Sequence, residues 1–145
     1  MAFDLTRFLT AHDEGSAYAA ALAELRSGRK RGHWMWFVFP QVAGLGHSPM
    51  SRFYAIPGLD EARDYLDHRV LGPRLLECAN ALRDLPGDDP SLVLGGIDAQ
   101  KLRSSMTLFE HAADRDEENA VFRAVLEQYF GGDEDPETVS RLEVG

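Results

Sequence analysis

Three dipeptides, Ser48-Pro49, Asp89-Pro90 and Asp135-Pro136, each place a capping side chain directly before a proline. A Ser or Asp oxygen accepts the free N–H groups of a first helical turn, and proline at the first helical position forfeits no hydrogen bond. Each pair therefore starts a helix, and the apolar spacing elsewhere is helical too. Asp4 caps a first short helix, with Phe3 and Phe8 spaced as a hydrophobic staple. Ser16 opens a second, in which Tyr18, Leu22 and Leu25 recur at i, i+4 and i+7 and Gly28 supplies the stop. Leu59 to Asp67, Val70 to Arg83, Asp98 to Ala112 and Asn119 to Phe130 continue the pattern. Their apolar stripes are Leu71, Leu75, Ala79 and Leu82, then Leu102, Met106 and Phe109, then Phe122, Val125, Leu126 and Tyr129 before Gly131-Gly132. A chain punctuated this way folds as an all-α single compact domain, residues 1–145, of about seven or eight short helices.

One stretch breaks the pattern. His33-Trp34-Met35-Trp36-Phe37-Val38-Phe39-Pro40 is apolar on both alternating sets and is bounded by Gly32 and Pro40. Periodicity admits either a buried helix or a strand buried on both faces, and the expectation is a buried extended aromatic segment.

A chain of 145 residues suits one ordinary core. Hydrophobic residues at 44% and charged residues at 27% are globular values, which excludes disorder as an account of the whole. Asp4 and Arg7 interrupt the apolar start, and no run of about 18 uncharged apolar residues exists, so neither signal peptide nor membrane span is expected. Cys78 stands alone, which rules out an internal disulfide and suits the reducing cytoplasm. A net charge of −9 argues against general nucleic-acid binding, which needs a broadly basic face. The charge is uneven, however: Arg26, Arg29, Lys30 and Arg31 put four of the fifteen basic residues within six positions. Asp133, Glu134, Asp135 and Glu137 crowd the far end.

The basic cluster runs through Gly32 and His33 into Trp34 and Trp36. Guanidinium groups bind phosphate or carboxylate bidentately, and an indole face offers a ring a surface to stack on. Arg29, Lys30, Arg31, Trp34 and Trp36 are thus candidate ligand-binding residues for a small anionic or nucleotide-like compound. The alternatives stay open: a tryptophan taken singly is more often core, and cations at a helix end also offset its dipole. His33 is the candidate for proton transfer, having an unperturbed pKa near about 6.5, although a hydrogen-bonded turn histidine is the commoner case. Lys101 and Ser105, at i and i+4, could line a pocket; a serine there more often bonds the carbonyl one turn back.

No cofactor or metal is expected. The other histidines, at 12, 47, 68 and 111, lack metal-ligand spacing, and Asp64 with His68 reads as a surface pair. The acidic runs at Asp114-x-Asp116-x-Glu118 and Asp133-x-Asp135-x-Glu137 lack the glycine and glutamate of a calcium loop, with Val125 and Val144 at the twelfth position. Gly44-Leu45-Gly46 lacks the third glycine and the strand-helix setting of a dinucleotide fingerprint, so it is read as a turn. No nucleophile elbow surrounds Ser104 or Ser105.

Gly28 through Gln41, then Gly44-Leu45-Gly46, Leu71-Gly72-Pro73-Arg74-Leu75, and Lys101 through Phe109 together resemble the domain-of-unknown-function 1810 family of small bacterial proteins. The resemblance covers nearly the whole chain and implies an all-helical single domain; it implies no activity. Lys101 through Phe130 is also similar in pattern to the carboxy-terminal helices of NADAR-type proteins, linked to ADP-ribose and N-glycosidic chemistry. The amino-terminal catalytic segment of those proteins has no match here, so no catalytic residue carries over.

Two functions compete. In the leading one the protein binds, or acts as an enzyme on, a nucleotide-like or phosphorylated compound: Arg29, Lys30 and Arg31 hold the anion, Trp34 or Trp36 stacks, and Lys101 with Ser105 closes the pocket. In the other the same segment docks an acidic partner protein, with arginine and aromatic anchors. A concave pocket favours the first and an exposed apolar patch the second.

Overall fold

In the computed structural model, which describes residues 3–144, helix follows helix with short turns between. Met1, Ala2 and Gly145, the ends of the expected domain, lie outside the described residues. The helices are α1 (Thr6–Asp13), α2 (Ala17–Ser27), α3 (Met35–Val38), α4 (Pro49–Phe53), α5 (Leu59–Asp67), α6 (Leu71–Asp84), α7 (Pro90–Leu94), α8 (Gly96–Ala112), α9 (Asp116–Phe130) and α10 (Pro136–Val144). Seven of these run eight residues or longer, while α3, α4 and α7 are single turns. A 3-10 turn at Glu14–Ser16 joins α1 to α2. Among the described residues, extended pairing is confined to one parallel bridge between Val42 and Ile56. It pins the ends of the 42–56 loop together.

The proline pairs act as their chemistry requires. Ser48 Oγ accepts the N–H of Ser51 at 3.1 Å, Asp89 Oδ1 that of Ser91 at 2.9 Å, and Asp135 Oδ2 that of Thr138 at 3.0 Å. Gly28 ends α2 in the left-handed conformation at φ 81°. Two other starts differ from expectation. Asp4 accepts the N–H of Thr6 at 2.9 Å but stands one residue ahead of the cap position, which Leu5 occupies. Ser16 precedes α2 in a left-handed conformation, φ 58°, and its side chain caps nothing.

Helix α8 runs through the middle, against α5, α7, α9 and α10, and α6 packs on α2, α5 and α9. Leu102, Met106 and Phe109 of α8, Leu71, Leu75, Ala79 and Leu82 of α6, and Phe122, Val125 and Leu126 of α9 are all buried. Each large side chain of this kind stabilises the fold by roughly 1.5–3 kcal/mol. Helices α5 and α6 meet closely at Gly72, where a Cβ would overlap the backbone carbonyl oxygen of Leu66.

The aromatic stretch is not extended: Met35–Val38 forms the helical turn α3, with Phe39 at φ −124° and ψ 75° just beyond it. Four residues are too few for a period to show, and with Met35, Phe37 and Val38 all buried the turn has no polar side to reveal it. Its free carbonyl at Phe37 bonds the buried His12, whose Nε2 donates at 2.7 Å. Arg74 Nη1 donates to Nδ1 of the same ring at 3.2 Å, which assigns the proton to Nε2 and leaves the imidazole neutral.

Burial holds the His12 pKa below its ordinary value; the Arg74 charge adds to this, against the Phe37 carbonyl. The unfolded chain therefore takes up a proton at this position before the folded one does. Stability from His12 is complete above the unfolded pKa of about 6.5 and is lost as pH falls towards the lower folded value. Urea midpoints measured from pH 8 down to pH 5 should show this loss, and His12→Gln should flatten it. Gly72→Ala should cost about 1–3 kcal/mol by the same denaturation, since the clash outweighs the helix propensity gained. Gly96→Ala, on α8 with open space around it, should not be destabilising.

Candidate functional site

A single carboxylate shapes the loop that carries the basic cluster. Glu24 Oε1, on α2, accepts the N–H of Arg31 at 2.7 Å, the N–H of Gly32 at 2.9 Å and the indole N–H of Trp34 at 2.9 Å. Burial pushes the Glu24 pKa up, but those three donors and the nearby Lys30 charge outweigh it and hold the carboxyl below its usual range. The loop is thereby folded back over the end of α2, and Trp34 is delivered to the core.

The cations then part company. Lys30 turns inward, 9% exposed; its N–H bonds Val93 O at 2.7 Å, its ammonium bonds Gly32 O and lies 2.9 Å from Asp98 Oδ2. The other oxygen of Asp98 takes the Lys101 ammonium at 3.1 Å. Burial raises the Asp98 pKa, but the two ammonium groups outweigh it and the net shift is downward. Lys30 sits over the Trp34 ring at 5.2 Å and Lys101 over the Trp36 ring at 4.4 Å. Asp98 thus joins two lysine–tryptophan pairs that the sequence keeps apart. Arg29 and Arg31 remain exposed, with no ion pair among the described residues, whereas Arg26 pairs with Glu77 at 3.5 Å. His33 is exposed, and its ring takes part in no hydrogen bond among the described residues.

Beside Lys101 opens a hollow of about 460 Å³, walled by α8 from Ile97 to Ser104, by the loop between Gln41 and Ser51, and by the start of α10 at Asp135 and Glu137. The loop wall depends on its glycines: Gly44 has a φ of 95°, and a Cβ there would run into the Arg141 guanidinium of α10. A Cβ on Gly46 would crowd the Ser51 hydroxyl at 2.5 Å. The α10 wall is held by the buried Asp135, whose carboxylate accepts from Gln100 Nε2 at 3.0 Å, Ser104 Oγ at 3.2 Å and Thr138 Oγ1 at 2.6 Å.

Of the residues singled out in the sequence, Lys101 lines the hollow; Arg29, Lys30, Arg31, His33, Trp34, Trp36 and Ser105 do not. Ser105 is fully buried, and neither its hydroxyl nor the indole N–H of Trp36 has a hydrogen-bond partner among the described residues. Gln100, Ser104 and Asp135 were missed as site residues. Asp135 was recognisable as a helix cap, but nothing in the spacing links it to positions on α8. Chemically the hollow offers one ammonium, amides, hydroxyls and carboxylates; Ser104 faces a carboxylate without an imidazole, so no activated nucleophile is assembled there.

Glu24→Ala would strand three donors, two of them backbone N–H groups. It should lower stability by about 1–3 kcal/mol in chemical denaturation and shift tryptophan emission to the red as Trp34 loses its anchor.

The family model described as "Protein of unknown function (DUF1810)" matches residues 2–142. Among solved structures, the crystal structure of the conserved hypothetical protein Rv1873 from Mycobacterium tuberculosis is similar, at 48% identity and a TM-score of 0.92, with 99% of each chain covered. No curated protein matches the chain. With the family model spanning nearly its whole length, this chain belongs to the DUF1810 family.

Proposed function

We propose that this protein binds a small anionic ligand, nucleotide-like or phosphorylated, in the hollow beside Lys101. The observation that carries the reading is convergence. Three segments far apart in the chain, at positions 41–51, 97–104 and 135–137, open onto one concavity. Two of them hold stretches that the sequence marks as distinctive, Gly44-Leu45-Gly46 and Lys101 onwards. An ammonium has three donors, and Asp98 engages Lys101 from one side only, which leaves a donor for a ligand oxygen. Gln41, Ser51 and Gln100 supply further donors and acceptors, Leu45 and Ile97 an apolar edge for a ring, and Glu137 an acceptor for hydroxyls.

In this reading the tryptophans serve the site indirectly. Each has a lysine over its ring, so Trp36 supports Lys101 instead of stacking on the ligand. Arg29 and Arg31, exposed beside the Lys30–Asp98 pair, attract anions from solution.

A second reading, docking of an acidic protein, draws on a different observation. Leu92 and Ile97 are 76% and 79% exposed, and the bonds of Lys30 to Val93 and Asp98 place them beside Arg29 and Arg31.

Titration with nucleotides, ADP-ribose and inorganic phosphate, followed by tryptophan emission, separates the two. At least one should bind, with affinity that falls as salt rises. Lys101→Met keeps the aliphatic packing over Trp36 and should weaken that binding by about tenfold or more with little change in thermal midpoint. Emission insensitive to all of them, or a Lys101→Met variant that binds like the parent, would overturn the ligand reading.

A further inference from the structure

A second chemically equipped cluster stands at the other end of α8, outside the hollow. Glu110 and His111 occupy the last turn of that helix, and Glu134 comes from the turn between α9 and α10. His111 Nε2 lies 3.1 Å from Glu134 Oε1, and one ligating atom from each of the three residues lies within 4.8 Å of the others. Glu110 Oε2 is buried and has no hydrogen-bond partner among the described residues. The nearest cation, the Arg123 guanidinium, is 3.7 Å away and is shared with Glu127 at 3.2 Å. A buried carboxylate oxygen with one long ion pair and no hydrogen bond is under-satisfied, and a cation placed among these three groups would satisfy it.

We propose that Glu110, His111 and Glu134 form a binding site for a divalent transition-metal ion of the zinc class. One imidazole nitrogen with two carboxylate oxygens is a mixed N/O set, which suits Zn2+ and its neighbours; Ca2+ and Mg2+ take oxygen donors. His111 is exposed and Glu134 partly so, which leaves room for water to complete the coordination. The third donor is held in place before any ion arrives. Arg103 donates to the backbone oxygens of Asp133 at 3.0 Å and Glu134 at 2.8 Å, which fastens the turn carrying Glu134 to α8. Little ordering is therefore needed on binding. The ion would tie the end of α8 to the turn whose next residue, Asp135, caps α10 and walls the hollow.

Metal-stripped full-length protein titrated with zinc sulfate in a calorimeter should bind one ion per chain, with a rise in thermal midpoint. His111→Ala and Glu134→Gln should each weaken binding by more than about tenfold and remove the thermal shift. Asp114→Asn, which alters an exposed carboxylate near the same helix end but outside the cluster, should bind like the parent. Circular dichroism of each variant reports folding, and Glu110→Gln replaces any variant that does not fold. The absence of saturable binding, or binding that survives both His111→Ala and Glu134→Gln, overturns the proposal, because the ion then sits on other histidines.

Discussion

The burial of α8 on nearly every side is the constraint from which the rest follows. A helix with one wet face can leave its polar side chains to water; α8 buries Ser104, Ser105 and Thr107 along with its apolar stripe. Ser104 and Thr107 answer with bonds to the carbonyls one turn back, Gln100 O at 3.2 Å and Arg103 O at 2.8 Å. Asp135 joins both residues: its N–H donates to Thr107 Oγ1 at 2.9 Å, and its carboxylate shares the Ser104 hydroxyl hydrogen with the Gln100 carbonyl. The cap of α10 and the polar face of α8 are therefore one network, and α10 is docked by chemistry that α8 needs for itself.

The same logic governs the charges. A lysine as enclosed as Lys30 needs a partner, and Asp98 at the start of α8 serves both Lys30 and Lys101. That shared carboxylate fixes the basic loop against α7 and α8, while Glu24 fixes it against α2. Between these two anions the cluster divides by role: Lys30 becomes architecture, and Arg29 and Arg31 are left facing solvent. The tryptophans follow, since an indole whose N–H is held by Glu24, or whose face carries a lysine, is committed to the fold.

What could be seen in the sequence was what is local. A serine or aspartate before a proline acts within three residues, so the starts of α4, α7 and α10 were visible, as was Gly28 at the end of α2. Long amphipathic stripes such as Leu71, Leu75, Ala79 and Leu82 were equally plain. Residues 35–38 form a helical turn where an extended segment is expected, because a single buried turn presents apolar groups all round, as a doubly buried strand does. The site was only partly visible for a different reason. Lys101 could be picked out, but Gln41, Gln100 and Asp135 meet it through tertiary folding, and the partnership of Lys30 with Asp98 has no sequence signature at all. The sequence also could not say which of four clustered cations would turn inward; that was decided by the Glu24 cradle and the position of Asp98.

The cradle also bears on the kind of ligand proposed above. A basic loop beside aromatic rings suggests a cationic groove with stacking platforms, and an acidic chain of net charge −9 would hold such a groove as its one positive spot. The geometry moves the chemistry elsewhere. With Lys30 neutralised by Asp98 and Trp34 bound to Glu24, the positive charge that faces this hollow is Lys101, half-compensated and steadied over Trp36. Across from it stand Glu137 and Asp135, of which Asp135 is already occupied by Gln100, Ser104 and Thr138. In the proposed reading, a ligand entering here would meet the Lys101 ammonium on one wall and the Glu137 carboxylate on another. Simple polyanions are disfavoured by that arrangement, since the second wall repels them. A compound with a single anionic group at one end and hydroxyl donors at the other matches both walls, and a phosphorylated sugar or a nucleoside monophosphate has that shape.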